Sequence, residues 1–234
     1  MPKQLEKKHS LAIRWMHWIN FPLLAMMIWS GLLIYWANPA FGVRLFGHEL
    51  YKFFPQGFYD LLGIPFRLAE GLQLHFFFMW LFAVNGVAYI SYLLASGEWR
   101  ALLPIPGSFK RAPLVALHDI HLVKKAPRHG KYNDAQRIAY TAVIVMGLGS
   151  VVSGLAIYKP LQLAWLSLLF GGYEWARWWH FWLMALFVMF FVVHVIQVAL
   201  AGWGNFRSMI TGYDIVDAPP EKAVARPTVE EVTA

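Results

Sequence analysis

Long apolar runs, separated by polar and charged segments, dominate the pattern along the chain. Four runs each hold about 20 or more mostly apolar residues, enough to cross roughly 30 Å of hydrocarbon as a helix. They cover residues 10–36, 71–95, 137–158 and 177–203. Ser10 is expected to cap the first helix, while Ser96-Gly97 and Pro160 are expected to end the second and third. The pattern predicts an all-α fold, an integral membrane four-helix bundle.

The segments between these runs are predicted to lie at the membrane surface. Leu161 to Phe170 is apolar but too short to span, so we expect an interfacial or re-entrant piece. Phe41 to Phe66 is aromatic and broken by proline and glycine, which favours a segment along the surface. Residues 214–234 are rich in Pro, Glu, Val and Ala and are predicted to be a disordered tail. Residues 1–213 then form a single transmembrane domain.

Lysine and arginine placement predicts the orientation. The loop between the second and third runs holds eight basic residues: Arg100, Lys110, Arg111, Lys124, Lys125, Arg128, Lys131 and Arg137. The N-terminus adds Lys3, Lys7, Lys8 and Arg14, whereas the opposite side has Arg44, Lys52, Arg67, Lys159 and Arg177. The positive-inside rule predicts that both termini face the cytoplasm, in a bacterial inner membrane. The first run is too long for a signal peptide and lacks a cleavage site, so we expect a retained anchor.

Composition agrees with a membrane protein and excludes several kinds of redox site. Hydrophobic residues make up 59% of the chain and charged residues 14%, against about 25% charged residues in soluble domains. The chain has no cysteine, which excludes a protein-bound iron–sulfur cluster, a covalently attached c-type haem and a disulfide within it. The net charge of +7 is explained by basic residues at span ends, so no nucleic-acid partner is expected.

His180 and His194 carry the strongest chemical signal. They are fourteen residues apart in the fourth run, which places both on nearly one helix face, about 21 Å apart along the axis. Ionisable side chains inside a membrane are costly and point to function. His17 and His75, in the first and second runs, supply two more imidazoles.

The predicted topology pairs these four histidines by depth. His17 and His194 lie near the cytoplasmic side, and His75 and His180 near the periplasmic side. Two bis-histidine sites follow, each suited to one haem b, with the four histidines as ligands of the haem iron. Arg14 and Arg177 lie one turn before His17 and His180, where their guanidinium groups can meet haem propionates or act as interfacial anchors.

Simpler interpretations exist for several polar residues. A membrane histidine can be a hydrogen-bonding residue between helices, and His118-x-x-His121 has the spacing of a zinc site but lacks further nearby ligands. The other histidines outside the runs, His9, His48 and His129, are interpreted as surface or loop residues. Each haem-ligating imidazole needs a partner for its second nitrogen. The candidates are Ser30, Asn85, Ser91, Thr141 and Ser153.

These features resemble a known family. Arg14-Trp15-Met16-His17-Trp18, a histidine opening the second span and His-x13-His in the fourth are similar to the di-haem cytochrome b subunits of formate dehydrogenases, nickel–iron hydrogenases and thiosulfate reductases. This is the bacterial cytochrome b561/hydrogenase cytochrome b superfamily. Three further stretches resemble the subset that accompanies periplasmic molybdopterin oxidoreductases: Trp29-Ser30-Gly31-Leu32, Gly171-Gly172-Tyr173-Glu174 and Gly202-Trp203-Gly204-Asn205-Phe206.

The resemblance implies a partner and a diffusible substrate. A periplasmic molybdopterin oxidoreductase, dehydrogenase or hydrogenase subunit would exchange electrons with the outer haem, and a quinone would react near the inner haem. Residues 131–136, Lys-Tyr-Asn-Asp-Ala-Gln, resemble the formate dehydrogenase stretch Lys-Tyr-Asn-Ala-Gly-Gln, whose Asn and Gly line the quinone site. Asn133 and Ala135 are therefore candidate quinone residues, although Ala135 replaces the glycine and Asp134 adds a charge. Asn133 as an N-cap of the third helix is the alternative.

The sequence predicts an electron-transfer subunit that joins a periplasmic redox enzyme to the quinone pool through two haems. The aromatic periplasmic segments, including Tyr51 and Tyr173, are the expected docking surface, with lipid as the alternative contact. A stand-alone b561-type oxidoreductase that reduces superoxide or another small acceptor is the first alternative function. A proton transporter with histidine relays is the second, but inverted repeats and acidic residues at the midplane, which are typical of transporters, are missing from the sequence.

Overall fold

The computed structural model describes residues 3–37, 42–45, 48–119, 122–124 and 132–217. Its helices are α1 (Leu11–Tyr35), α2 (Gln56–Leu62), α3 (Leu68–Ser96), α4 (Trp99–Leu102), α5 (Ser108–Asp119), α6 (Asp134–Tyr158), α7 (Ala164–Leu169) and α8 (Tyr173–Thr211). Its strands are β1 (Lys3–Lys7), β2 (Gly42–Leu45), β3 (His48–Lys52) and β4 (Tyr213–Asp217). Helices α1, α3, α6 and α8 are long and apolar enough to cross a membrane. The all-α, four-helix membrane fold is confirmed, and the chain is a multi-pass membrane protein.

Local sequence signals explain the ends of the spanning helices. The Ser10 hydroxyl accepts a hydrogen bond from the Ile13 N–H and caps α1, as predicted. Helix α3 ends at Ser96 because Gly97 adopts a left-handed conformation, with φ 74°, and α6 ends at Tyr158, two residues before Pro160.

Helices α3, α6 and α8 begin three or four residues earlier than the apolar pattern predicts. Their first turns contain Glu70, Asp134 and Glu174 respectively. An apolarity criterion excludes these carboxylates, yet negative charge is favourable at a helix N-terminus, where the backbone N–H groups are unpaired. The helices therefore extend past the apolar runs by about one turn.

Helix α8 changes direction at Gly202. The backbone there has φ 81° and ψ 173°, which is not helical, so residues 203–211 form a separate helical piece. Only glycine adopts such a conformation without strain. The break coincides with the predicted end of the fourth span near residue 203.

The two ends of the described chain meet in a small sheet. Strands β1 and β4 pair antiparallel, with Lys3 opposite Asp217 and Lys7 opposite Tyr213. The predicted disorder from residue 214 is therefore wrong for residues 214–217, because pairing with β1 satisfies their backbone groups; residues 218–234 lie outside the described part. Lys8 donates to Asp214 at 2.9 Å, and this hydrogen bond and its charge hold the pKa of the Asp214 carboxyl below its usual range.

The four spans form two hairpins. Helix α1 packs along α3, and α6 packs along α8, whereas contacts between the two hairpins are sparse. Strands β1 and β4 and helix α5 lie at one end of the bundle, which we call the terminal end because it holds both chain ends. Helices α2 and α7 lie at the opposite end, which we call the distal end. This arrangement agrees with the predicted up-down order of the spans.

Each hairpin is closed at the distal end by its own apolar core. Leu33 of α1 packs against Tyr59 and Ile64, which lie in and just after α2. Ala156 of α6 packs against Leu166 of α7 and Ala176 of α8. The surface segments predicted on this side are therefore partly folded. Their short helices pack against the ends of the hairpins.

At the terminal end, the central loop is fixed to the start of α6. Arg111 of α5 donates to both carboxylate oxygens of Asp134, at 2.7 and 2.9 Å, and the buried Ser108 hydroxyl donates to the same carboxylate. A carboxylate held by a guanidinium and a hydroxyl is compensated for its burial. The charge that Asp134 adds to the 131–136 stretch is thus neutralised by α5.

The close crossing of α1 and α3 depends on Gly71. A Cβ at this position would lie 2.7 Å from the Cβ of Leu33, so the Gly71→Ala variant must push α1 away. We expect a loss of about 1–3 kcal/mol in stability from such overpacking, measured as a lower thermal unfolding midpoint of the purified protein.

Gly86→Ala is the matched control on the same helix, because nothing lies within 4 Å of its Cβ position. Alanine also favours helix over glycine, so this variant should unfold at an equal or higher temperature than the wild type. Equal midpoints for the Gly71→Ala and Gly86→Ala proteins would contradict the crossing argument.

Candidate haem-binding site

The structure brings the four membrane histidines together in the predicted pairs. The ring centroids of His75 on α3 and His180 on α8 are 6.1 Å apart. Those of His17 on α1 and His194 on α8 are 6.0 Å apart. Each pair bridges the sparse interface between the two hairpins, one near the distal end and one near the terminal end.

Both spacings fit two imidazoles that share one metal ion. A metal–imidazole bond is about 2 Å long and the ring centre lies about 1 Å behind the nitrogen, so two opposed ligands have centroids about 6 Å apart. The two ring planes of each pair are inclined to each other, by 74° and 60° respectively. The residues present therefore fit a bis-histidine haem at each level.

Two serines set the protonation of the distal pair. Ser30 Oγ lies 2.9 Å from Nδ1 of His75, and Ser153 Oγ lies 3.1 Å from Nδ1 of His180. Each hydroxyl donates its single hydrogen to the carbonyl four residues earlier, Ser30 to Met26 at 2.6 Å and Ser153 to Gly149 at 2.7 Å. The hydroxyl oxygen must then accept a hydrogen bond from the imidazole Nδ1–H. Nε2 of both histidines is left unprotonated, which is the form that binds a metal.

Small residues beside these serines let the imidazoles approach a helix backbone. A Cβ at Gly31 would lie 3.7 Å from Cε1 of His75, and one at Gly154 would lie 3.2 Å from Cε1 of His180. Larger side chains at these positions would displace the rings from the serines.

Sequence reasoning named Ser30 and Ser153 only within an unranked group of five. Among the others, Asn85 donates to the Met16 carbonyl and Thr141 donates to the Leu102 carbonyl. Ser91 is exposed on α3. The missed signal is a repeat: residues 30–35 read Ser-Gly-Leu-Leu-Ile-Tyr and residues 153–158 read Ser-Gly-Leu-Ala-Ile-Tyr.

This repeat reflects an internal twofold relation between the hairpins. Tyr35 of α1 stacks on Phe181 of α8, and the repeat-related residues, Tyr158 of α6 and Phe76 of α3, are also in ring contact. At the centre, Phe82 of α3 meets its own counterpart, Phe187 of α8, edge to face at 6.5 Å. Helices α1 and α6 are thus equivalent, as are α3 and α8, and the His75/His180 pair lies on the symmetry axis.

The terminal pair is less completely satisfied by protein groups. Nδ1 of His17 is buried without a hydrogen-bond partner, as is Nε of Arg14 one turn earlier. Arg14 also donates through Nη1 to the Ile210 carbonyl. His194 stacks on Phe190, at 5.6 Å and 14°. The buried cationic nitrogen beside His17 suits an anionic group such as a propionate.

The other predicted site residues have local partners. Arg177 forms a salt bridge with Glu174 at 3.0 Å. The Asn133 side chain accepts from the Gln136 N–H at 2.8 Å, while the Gln136 side chain accepts from the Asn133 N–H at 3.0 Å. This reciprocal capping box supports the N-cap interpretation of Asn133. Ala135 lies in the first turn of α6.

The candidate zinc spacing of His118 and His121 falls partly outside the described part of the chain. His118 is at the end of α5, and His121, its partner in the candidate zinc spacing, lies outside the described residues together with His129. Within the described ranges, no group of three or more His, Asp or Glu side chains is arranged to hold a metal ion.

Comparison with known proteins agrees with the geometry. A family model described as prokaryotic cytochrome b561 matches residues 8–212, which include all four spans. The chain is also 34% identical over 204 residues to "Putative protein-methionine-sulfoxide reductase subunit YedZ1" of Azospira oryzae. That alignment covers 86% of this chain and 94% of the relative.

The serines provide a test of the distal pair that leaves its ligands in place. In Ser30→Ala and Ser153→Ala, the imidazole loses the acceptor that orients it. Loss of such a partner typically weakens metal binding by about 10–100-fold. We expect faster transfer of one haem to a soluble haem-accepting protein, followed by absorbance.

Ser91→Ala is the control, because it makes the same chemical change on an exposed face of α3. It should release haem at the wild-type rate. Identical release from the Ser30→Ala, Ser153→Ala and Ser91→Ala proteins would show that the serine contacts do not orient the ligands.

Proposed function

Because the chain belongs to the prokaryotic cytochrome b561 family, and is therefore a membrane haem protein, we propose that it binds two haems b and transfers electrons between a periplasmic redox enzyme and the quinone pool. The observation that carries the proposal is the pair of bis-histidine arrangements at two depths, with centroid separations of 6.1 and 6.0 Å. His75 and His180 would hold the periplasmic haem, and His17 and His194 the cytoplasmic one.

When bound, a haem iron with two imidazole ligands keeps no open coordination position and supplies one-electron transfer. The protein's own residues keep the two ligand pairs at constant separation. His180 and His194 share α8, so the pairs are about 21 Å apart along its axis. Phe82 and Phe187 are in edge-to-face contact between the two levels, with ring centroids 6.5 Å apart.

The arginines are proposed to meet the haem propionates. Arg14 presents a buried, unpartnered Nε next to His17, which supports this role at the cytoplasmic level. Arg177 lies one turn before His180, and its side chain is 15% exposed. Its salt bridge with Glu174 would hold the guanidinium in place at the periplasmic level.

The periplasmic partner is proposed to be a soluble redox enzyme, of the molybdopterin oxidoreductase, dehydrogenase or hydrogenase type. The relative's name, a subunit of a methionine-sulfoxide reductase, supports a role as one part of a larger enzyme. The distal end exposes large apolar side chains, among them Leu161, Trp165, Leu168 and Leu169. Such a surface suits a docked protein, with lipid contact as the alternative.

We propose that quinone reacts near the His17/His194 level, on the cytoplasmic side of the bacterial inner membrane. The basic terminal end and central loop support an N-in, C-in orientation. The family resemblance implies Asn133 and Ala135 as quinone residues, whereas the capping box already uses the Asn133 side-chain oxygen.

Two other functions receive less support. A stand-alone oxidoreductase would need no partner, and the relative's name as an enzyme subunit favours the complex. A proton transporter would use free imidazoles, whereas Ser30 and Ser153 orient the distal imidazoles with Nε2 unprotonated toward the space between them.

Haem content and single substitutions test the paired sites. We expect two non-covalent haems per polypeptide by pyridine haemochrome analysis of the wild type. His75→Ala and His180→Ala should each lose the periplasmic haem, while His17→Ala and His194→Ala should each lose the cytoplasmic one, because either ligand is needed to complete a site.

His118→Ala, outside the spans, should keep both haems and serves as the control. Redox difference spectra should show the same remaining haem for the two variants of a pair. One haem in the wild type, or full haem content in all four ligand variants, would overturn the pairing.

Site-specific crosslinking tests the partner surface. A photocrosslinker at Tyr173, which is exposed at the distal end, should capture the extrinsic redox subunit in membranes. The same crosslinker at Lys124, in the central loop, is the control and should not capture it. Capture from Lys124 alone would place the partner on the opposite side of the membrane.

A further inference from the structure

Four tyrosines and a glutamate cluster between α3 and α6 near the terminal end, outside the four-histidine arrangement. The rings of Tyr132 and Tyr140 are in edge-to-face contact, with centroids 5.3 Å apart. Tyr89 of α3 lies close enough to interact electrostatically with both phenols and with Glu98. Tyr92 donates its hydroxyl to Glu98 at 3.3 Å. Each of these four tyrosines is only partly buried.

The internal twofold relation shows which residues of this cluster correspond to the terminal histidines. His75 and Tyr89 are fourteen residues apart on α3, as His180 and His194 are on the equivalent α8. His17 and Ser30 are thirteen apart on α1, as Tyr140 and Ser153 are on the equivalent α6. Tyr89 and Tyr140 therefore occupy the positions that correspond to His194 and His17.

At the terminal level, the bundle thus has two equivalent helix pairs, α1/α8 and α3/α6, with different chemistry. We call the space between the helices of each pair a crevice. The α1/α8 crevice carries two imidazoles, which are metal ligands. The α3/α6 crevice carries two phenols, which are hydrogen-bond donors and acceptors but poor ligands for a haem iron beside available histidines. Polar side chains in a membrane-facing crevice are costly unless a partner satisfies them.

We propose that the Tyr89/Tyr140 crevice binds the headgroup of a lipid-soluble quinone, with Tyr132 closing its terminal side and Tyr92 with Glu98 exchanging protons between the headgroup and the cytoplasm. This proposal rests on the proposed electron-transfer function and locates its quinone site. A pair of phenols can serve both oxidation states of a quinone ring, because a phenol donates to a carbonyl and accepts from a hydroxyl.

The exposed surfaces of the two helices beside this cluster are apolar, as expected for surfaces in contact with lipid. Val84 and Val87 on α3 and Val145 and Leu148 on α6 are exposed side chains on the two helices that form the crevice. A headgroup in this crevice has its tail in lipid. The His17/His194 pair lies at the same depth in the bundle.

The proton balance explains why a carboxylate stands beside the phenols. A quinone becomes a hydroquinone by taking up two electrons and two protons, and the reverse reaction releases them. The electrons are those carried by the proposed haem pathway. The protons need a carrier, since haem transfers electrons alone, and Glu98 is held by Tyr92 just after α3 ends.

This crevice differs from the site that the family resemblance implies. The Asn133 amide oxygen is already an acceptor for the Gln136 N–H, and Asp134 is bound by Arg111 and Ser108. Both side chains therefore hold the start of α6 in place. Tyr132, their neighbour, is the member of this stretch that contacts Tyr140.

The test uses the full-length, haem-loaded protein in lipid nanodiscs with a short-chain azidoquinone as the probe. Photolabelling should modify peptides of α3 and α6 that contain Tyr89 and Tyr140. Tyr89→Phe and Tyr140→Phe should each weaken equilibrium binding by about tenfold, as expected for one lost hydrogen bond to the ligand. The rings remain, so haem spectra should be unchanged, which shows that the variants fold.

Tyr158→Phe is the matched control, because it makes the same change at the other end of α6 and should bind the probe like the wild type. Glu98→Gln should leave the dissociation constant unchanged but slow the reoxidation of reduced haem by quinone. Labelling confined to residues 133–135, or wild-type binding in both Tyr89→Phe and Tyr140→Phe, would overturn the proposal.

The outcome separates this site from the function on which it rests. If quinone reoxidises the wild-type haems and the tyrosine variants behave like the wild type, the crevice is wrong while the proposed function stands. If quinone neither binds to the wild type nor reoxidises its haems, the quinone part of the proposed function fails and the crevice fails with it.

Discussion

An imidazole inside a membrane must have both ring nitrogens satisfied, and the fold of this chain follows from that constraint. In hydrocarbon no water is available, so an unpaired polar atom costs several kcal/mol. At the distal level, Ser30 and Ser153 accept from Nδ1 of His75 and His180, which leaves both Nε2 atoms unprotonated, in the form that binds a metal. The two helices of each hairpin pack closely against each other, whereas the two hairpins make few contacts. The interface between the hairpins is therefore the place for a cofactor.

The internal twofold relation explains why one level is symmetric and the other is not. A group on the axis contacts equivalent residues from both hairpins, and His75 and His180 are such a pair. A group at the terminal level lies off the axis, so each site there has an equivalent on the opposite side. Only one of these two crevices has a pair of imidazoles, those of His17 and His194. The other has Tyr140 and Tyr89 at the equivalent positions. With the quinone site proposed above, electron transfer and quinone chemistry are divided between the two crevices.

The spans and the histidine pairs could be predicted from sequence because membrane burial leaves a strong one-dimensional signal. Apolar runs show the helices, and rare ionisable residues at matched depths show which histidines meet. The serine contacts were harder to predict from the sequence, since many polar residues at helical positions look alike until one hairpin is compared with the other. The β1–β4 sheet could not be predicted, because it joins residues about two hundred positions apart through backbone pairing, which carries little side-chain pattern. The helix starts were missed because Glu70, Asp134 and Glu174 are unfavourable in lipid but favourable at a helix N-terminus.

The two levels also differ in how their polar groups are satisfied, and this difference is relevant to the proposed function. At the distal level, protein groups orient both imidazoles, so the ligand set is complete without any outside molecule. At the terminal level, Nδ1 of His17 and Nε of Arg14 lack protein partners, and Tyr89 and Tyr140 are the candidate quinone contacts. A cofactor and a diffusible molecule would complete these groups. A complete ligand set at the distal end and an incomplete one at the terminal end suit a chain that, as proposed, exchanges electrons between a docked protein and a small diffusible carrier.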